Sequence, residues 1–188
     1  VDNMYVADCT TPANLFHLFR RQMKTTFRKP LIVFTPKSLL RHPKVVSTKE
    51  ELANGSFQMV IDDASVEVEK VKTLVFVTGK FYYDLLDKRE ELGRDDVALV
   101  RVEQLFPLPK EEMRKAISKY TNADDVVWAQ EEPRNMGAYG HMLMHLPEAK
   151  EFRVCSRKFY GAPAAGSSVR YKGRHLRVME DVFNINKD

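Results

Sequence analysis

Lys72-Thr-Leu-Val-Phe-Val-Thr-Gly-Lys80 is apolar through its middle and closed by a glycine. Unlike an alternating strand, which buries one face, a continuous apolar run of this length reads as a strand covered on both faces. The stretch from Lys80 to Leu92 then carries Phe81, Leu85 and Leu92 among its apolar positions and reads as a helix. Strand followed at once by helix is half of a crossover unit, and the residues on either side repeat it. Downstream, Val97 to Val102 predicts a strand, and Leu105-Phe-Pro-Leu-Pro109 leads into a helix from Lys110 to about Lys119 with Met113, Ala116 and Ile117 inward. Asp125 to Gln130 predicts a strand, Asn135 to near Leu146-Pro147 a helix, Phe152 to Ser156 a strand and Leu176 to Phe183 a closing helix.

Upstream, Thr11 is placed to cap a helix that has Pro12 at its first position and runs to about Lys24. Leu31 to Phe34 predicts a buried strand ended by Thr35-Pro36. Ser47 and Glu50 have the spacing of a capping box, and Asp62 to Glu69 reads as an acidic surface loop or edge hairpin. Strands alternating with helices give an α/β fold with a mainly parallel sheet, and right-handed crossovers place helices on both faces. Ligands and partners of such sheets meet the carboxyl ends of the strands. Here those ends carry Thr35-Pro36-Lys37, Thr78-Gly79-Lys80, Glu103-Gln104 and Glu131-Glu132.

Composition narrows the chemistry. With 188 residues the chain suits one compact domain, alone or with an appendage. The longest apolar runs are far too short to cross a bilayer, so no membrane role is expected. Thirty Lys and Arg against 26 Asp and Glu leave a net charge of +4, spread unevenly over three basic groups. The last holds Arg153, Arg157, Lys158, Arg170, Lys172, Arg174 and Arg177. No aromatic-interleaved basic motif accompanies them, so nucleic acid is not an expected partner. Cys9 and Cys155 stand alone, which argues against a disulfide framework or a zinc site. A start at Val1 with no basic-then-apolar leader points to a fragment.

Motifs for dinucleotide, P-loop, α/β-hydrolase and zinc-protease chemistry are absent. His141 and His145 would share a helix face, but no third metal ligand is signalled. Glu131 and Glu132, adjacent on an extended segment, point opposite ways. The expectation is that one caps the following helix and the other meets a neighbouring domain. Thr78-Gly79-Lys80 offers backbone amides and an ammonium at a helix start, an anion site in outline.

Several stretches, in order, resemble the decarboxylating component of 2-oxoglutarate dehydrogenase. They are Thr10-Thr-Pro-Ala-Asn-Leu-Phe-His17 with Arg20-Arg-Gln22, Pro30-Leu-Ile-Val-Phe-Thr-Pro-Lys-Ser-Leu-Leu-Arg-His-Pro43, Thr78-Gly-Lys-Phe-Tyr-Tyr-Asp-Leu85, Val100-Arg-Val-Glu-Gln-Leu-Phe-Pro-Leu-Pro109 and Trp128-Ala-Gln-Glu-Glu-Pro133. Ser156-Arg-Lys158 with Ala162-Pro163 and Gly166-Ser-Ser168 completes the series. The resemblance implies a transketolase C-terminal-like α/β sandwich: a mostly parallel five-stranded sheet, helices on both faces and an antiparallel edge strand. Residues 1–28 would be the tail of a pyrimidine-binding domain and residues 29–188 the C-terminal domain.

The resemblance further implies a citric-acid-cycle enzyme that decarboxylates 2-oxoglutarate with thiamine diphosphate and Mg²⁺ and passes the succinyl group to lipoyl arms. The cofactor-binding and catalytic residues would lie upstream, so no catalytic, cofactor-binding or metal residue is carried onto this chain, which is expected to be inactive alone and to bind no cofactor. Its partners would be the upstream domains, a second copy in a homodimer, and the dihydrolipoyl succinyltransferase core, in bacterial cytoplasm or the mitochondrial matrix. Apolar patches around Phe16, Phe19 and Met142 to Leu146 would mark the docking faces. A regulatory nucleotide or acetyl-CoA site is the alternative role, with Lys29, Arg41, Lys80 and Arg157 as candidate residues, and a related 2-oxoadipate or other 2-oxo acid dehydrogenase is the alternative identity.

Overall fold

The computed structural model describes residues 2–184. Its main sheet has five strands in the order β3-β5-β4-β7-β8. They are β3 (Val60–Ile61), β4 (Thr73–Val77), β5 (Val97–Val102), β7 (Asp125–Pro133) and β8 (Arg153–Arg157). β4 pairs in parallel with β5 and β7, β7 pairs in parallel with β8, and the short edge strand β3 is antiparallel to β5. This is the mostly parallel five-stranded sheet with an antiparallel edge that the sequence motifs imply.

Every residue of β4 is buried, and the period of two divides them between two cores. Leu74 and Phe76 face one side with Val100, Val102 and Trp128, where Met113 of α4 (Lys110–Lys119) and Met142 of α5 (Tyr139–His145) cover them. Val75 and Val77 face the other with Leu99 and Val127, under Phe81 and Leu85 of α3 (Phe81–Leu92) and Val178 and Val182 of α6 (Ser168–Val182). Each fully buried side chain of this size contributes roughly 1.5–3 kcal/mol, which is why a continuous apolar run is held as a central strand.

A second, three-stranded sheet joins β1 (Tyr5–Ala7), β2 (Leu31–Val33) and β6 (Gln104–Phe106) in the order β2-β1-β6. β1 and β2 are parallel and flank α1 (Pro12–Lys24), while β6 is antiparallel to β1 and continues almost directly from β5. The N-terminal segment is therefore tied to the main sheet through the β5–β6 turn. Among the described residues, no helix is long and apolar enough to cross a membrane.

Several local expectations are corrected. α2 (Lys49–Asn54) is capped by Thr48 with Glu51, one residue later than expected, because the Ser47 hydroxyl instead accepts from the Ala13 amide at 3.0 Å. The loop after β3 is not simply a surface loop: Asp63 is buried against Arg89. β2 is only half-buried, with Ile32 and the adjacent Phe34 about half exposed. α5 begins at Tyr139 rather than Asn135, after a turn that passes through Gly137 at φ +68°. α6 begins eight residues earlier than Leu176, capped by Ser167, whose hydroxyl accepts from the Arg170 amide. Of the two expected apolar patches, Phe16 and Phe19 are exposed, whereas Met142 and Leu146 are fully buried and Met144 points outward.

Candidate functional site

The carboxyl ends of β4 and β7 gather most of the polar chemistry. Glu131 and Glu132 do point opposite ways. Glu131 turns toward α6, where its Oε1 accepts from the Lys80 ammonium and from the Tyr171 hydroxyl at 2.8 Å. His175 Nε2 lies 3.1 Å from Asp84 Oδ2, and its Nδ1 is 3.9 Å from Glu131. Burial alone would lower the Lys80 pKa; the hydrogen bond and charge of Glu131, with Tyr171 and Asp84, outweigh it and hold the ammonium above its usual range. Neither glutamate caps α5. The acceptor for the Tyr139 amide is Gln130 Oε1, which also takes the Trp128 indole N–H at 2.8 Å.

At the end of β1, Asp8 reaches across to Thr78-Gly79. Gly79 sits at φ +60°, and any side chain there would collide with the Asp8 carboxylate, so glycine is required on both counts. The anion position outlined by Thr78-Gly79-Lys80 thus already has a carboxylate from the chain beside it. Burial, then the charges of Glu103, Glu132 and Glu131, push the Asp8 pKa up to about 7, against a smaller opposing pull from Lys80.

Glu103, between β5 and β6, is completely buried and faces the start of α1. Its Oε2 accepts from the Thr10 amide at 2.8 Å and the Asn14 side-chain amide at 2.9 Å, and its Oε1 accepts from the Thr10 hydroxyl at 2.5 Å. Burial raises its pKa, and these hydrogen bonds with Thr10 and Asn14 oppose the rise. Asn14 Oδ1 in turn accepts from the Gln58 amide at 2.8 Å. One carboxylate thereby clasps the N-terminal segment onto the main sheet.

The four basic residues singled out for anion binding fall in different places. Lys80 and Arg157 meet at Glu131: Arg157 Nε donates to its carbonyl at 2.6 Å. Arg157 Nη2 donates to the Pro163 carbonyl at 2.7 Å, while its Nη1 is buried without a hydrogen-bond partner. Lys29 packs its ammonium 5.2 Å from the Phe27 ring, in the connection between α1 and β2. Arg41 is exposed at the end of the 3₁₀ turn Lys37–Arg41. A cavity of about 320 Å³ beside β8 and α6 is lined by Arg157 together with Lys158, Tyr160, Arg174 and Arg177, with Asp181 as its acid. Neither Lys29 nor Arg41 lines it. Arg174 and Arg177 belong to the last basic group but are not among the anion-binding candidates: Arg177 falls in the helix expected from Leu176, and Arg174 just before it, where α6 in fact already runs.

Among the described residues, one group of three possible metal ligands converges: Asp84, Glu131 and His175. Lys80 already occupies that convergence through Glu131. Mg²⁺ takes six oxygen ligands in near-octahedral geometry, which an imidazole and a resident ammonium do not offer. These residues do not fit a thiamine diphosphate–Mg²⁺ centre, and no catalytic step is routed through them. Neither Cys9 nor Cys155 forms a disulfide, and burial raises the pKa of Cys9 above its usual range.

Family profiles match residues 46–183 to the 2-oxoglutarate dehydrogenase C-terminal family and residues 1–43 to the transketolase pyrimidine-binding domain. The 2-oxoglutarate dehydrogenase E1 component of Azotobacter vinelandii is 42% identical over 191 residues, which is 97% of this chain and 20% of that protein. The corresponding component of Haemophilus influenzae is 40% identical over 189 residues, with 97% and 20% covered. The 2-oxoadipate dehydrogenase complex component E1 of Mus musculus is 45% identical over 186 residues, with 96% and 20% covered. The chain spans about a fifth of the length of these relatives.

Proposed function

The chain belongs to the 2-oxoglutarate dehydrogenase C-terminal family, and from that premise we propose that it is the assembly end of a thiamine-dependent E1 decarboxylase acting on 2-oxoglutarate. The reading divides the chain into the tail of a pyrimidine-binding domain, residues 1–28, and a C-terminal domain from residue 29. It assigns thiamine diphosphate and Mg²⁺ to upstream domains, and succinyl transfer to the lipoyl groups of a dihydrolipoyl succinyltransferase core. Such an enzyme works in bacterial cytoplasm or the mitochondrial matrix. The observation that carries the reading is the Glu103 clasp, which fixes α1 to the main sheet as a rigid support. On the outer side of that helix Phe16, Phe19 and Met23 form an i, i+3, i+7 stripe, with Phe16 and Phe19 47% and 50% exposed, a face suited to packing against another domain or subunit.

In the full-length protein, carbon dioxide release from 2-oxoglutarate is expected to require thiamine diphosphate and Mg²⁺, and the 188-residue chain alone is expected to release none. A higher kcat/KM with 2-oxoadipate would transfer the assignment to that substrate. Glu103→Ala leaves two donors of Thr10 and one of Asn14 unpaired in the interior, at about 1–3 kcal/mol for such a buried loss. It should therefore expose residues 10–24 to limited proteolysis and lower the full-length activity, while Glu103→Gln retains most of both. Unchanged protease resistance in the alanine variant would remove the clasp from the argument.

The Arg157 cavity favours a second role, anion-effector binding, because it gathers four cations, one of which carries a guanidinium nitrogen without a partner, around a single acid. Calorimetric titration of AMP, ADP and acetyl-CoA should show heat that Arg157→Ala abolishes. No heat with any of them in the full-length protein would end this reading.

A further inference from the structure

A larger cavity, about 540 Å³, opens where the two sheets meet, within the size range of small-ligand sites. Its polar rim is supplied by Asp8, Thr78, Glu132 and His141, and Phe34 and Phe106 form apolar walls. Three buried atoms on that rim have no hydrogen-bond partner: Asp8 Oδ1, Thr78 Oγ1 and His141 Nε2. They belong to residues at the end of β1, at the end of β4 and on α5, so three separate elements that line one space each carry an unsatisfied polar atom just beneath its surface. Buried polar atoms are ordinarily paired, and each orphan costs about 1–3 kcal/mol. A ligand toward which these side chains turn would recover part of that cost.

The charge around the cavity selects the ligand's sign. Two carboxylates line it and Glu131 stands next along the chain, whereas the neighbouring cations, Lys80 and Arg157, lie outside the lining and are engaged by the Glu131 carboxylate and backbone carbonyl respectively. Burial first, then Glu131, raises the Glu132 pKa, as burial and carboxylate neighbours do for Asp8. Asp8 in particular has three carboxylate neighbours against one cation. A phosphate would meet repulsion here. A metal ion is too small: the ligand atoms of Asp8, Glu132 and His141 are not among the groups that converge to metal-binding distance. The walls are aromatic and aliphatic, and cations lie favourably over such ring faces.

We propose that this cavity binds an organic cation, an alkylammonium or alkylguanidinium group on an apolar stem, whose N–H groups donate to Asp8 and Glu132. Thr78 Oγ1 accepts a further N–H, and neutral His141 offers an acceptor nitrogen in the tautomer that places its proton on Nδ1. Burial, then His145, lowers the His141 pKa against an opposing backbone hydrogen bond to Leu105, which favours the neutral imidazole beside a cation. The site shares no lining residue with the Arg157 cavity, although Glu132 of one and Pro133 of the other are consecutive in β7, and it requires the opposite ligand charge, so the two stand or fall separately.

Trp128, the chain's single tryptophan, lines the cavity and reports its occupancy. Fluorescence titrations compare butylammonium and butylguanidinium with 1-butanol and butyrate, which share the stem but not the charge. Butylammonium or butylguanidinium should bind at least about tenfold more tightly than 1-butanol, the scale of one charge-assisted hydrogen bond, and butyrate more weakly than either. The preference should strengthen as pH rises through about 7, since Asp8 ionises while facing Glu103, Glu131, Glu132, Lys80 and His141. Asp8→Asn should remove the preference, and Thr78→Val should reduce it. Equal binding of butylammonium and 1-butanol in the unsubstituted protein would overturn the proposal whether or not the variants fold. So would an Asp8→Asn protein with unchanged circular dichroism and an undiminished preference. A capped Gly-Lys-Gly peptide distinguishes the source: tighter binding than butylammonium identifies a protein side chain, and weaker binding a free amine.

Discussion

Asp63→Ala is expected to cost about 3–5 kcal/mol of folding stability, the usual penalty for stripping one partner from a buried ion pair. The side chains of Arg89 and Asp63 are 7% and 4% exposed, and their N–O distance is 2.5 Å. Asp63 also accepts from the Leu99 amide at 2.8 Å and from the Ser65 hydroxyl and amide, while Arg89 donates to the Val97 carbonyl at 3.1 Å. Through these bonds the loop after β3 is fastened to α3 and to β5 at one point. The alanine variant strands a guanidinium and a strand amide in the interior. For a domain of this size the loss corresponds to a fall in Tm of roughly 6–20 °C, read by urea or thermal unfolding.

A second substitution separates charge burial from packing. If the penalty is the unpaired charge, Arg89→Met in the Asp63→Ala background should recover a large part of it, because an apolar side chain of similar length needs no partner. If the double variant is as unstable as the sum of the singles, the ion pair acts mainly by filling space. The carboxylate's pKa lies below its usual range: burial would raise it, and Ser65, the Leu99 amide and Arg89 together outweigh that. Its contribution to stability is thus present above the unfolded pKa and lost as pH falls through the lower folded value.

The Asp63–Arg89 pair also marks where sequence reading stops. β4, β5, α3 and α4 are legible because burial on one or both faces imposes a period on the chain. An ion pair 26 residues apart imposes no period, so an acidic stretch reads as solvated and its buried member is hidden among exposed neighbours. The same reason hides Asp8, a lone acid behind a three-residue strand that has no meaning until β1 is seen beside β4. Glu103 and Gln104 are visible as a strand end, but the clasp onto Thr10 spans 93 residues and depends on a β5–β6 turn that sends the chain into a second sheet. Motif resemblance carries further than periodicity because it is anchored on strand ends and the segments that follow them, such as Trp128 to Pro133 at the end of β7 and Ser156 to Ser168 between β8 and α6. It conveys family and fold, yet not which carboxylate is paired. α6 is obscured for a simpler reason: Gly173 and a run of cations interrupt its apolar face, and only the covered residues Val178 and Val182 signal it.

Asp8→Asn should stabilise the protein at pH 8. The Asp8 pKa of about 7 in the folded chain exceeds its ordinary 3.8, with burial as the main cause and Glu103, Glu132 and Glu131 adding to it. A carboxyl whose folded pKa is raised binds more protons in the native state than in the unfolded one between those values. Stability therefore falls as pH climbs from about 4 to about 7, then levels off. Three units at 1.36 kcal/mol each set an upper bound of about 4 kcal/mol, and relaxation of the site reduces the realised part to about 2–3 kcal/mol. Asparagine keeps the shape and carries no charge, so the variant's advantage should be largest at pH 8 and vanish near pH 4. Unfolding in urea across that range measures both curves. Glu103 and Glu132, also raised by burial, add slopes of the same sign that persist in the variant. If Asp8→Asn destabilises equally at every pH, Asp8 is already satisfied as an ion. Should butylammonium flatten the wild-type slope between pH 6 and 8 but leave the asparagine variant untouched, the same carboxylate accounts for both the instability and the cation site.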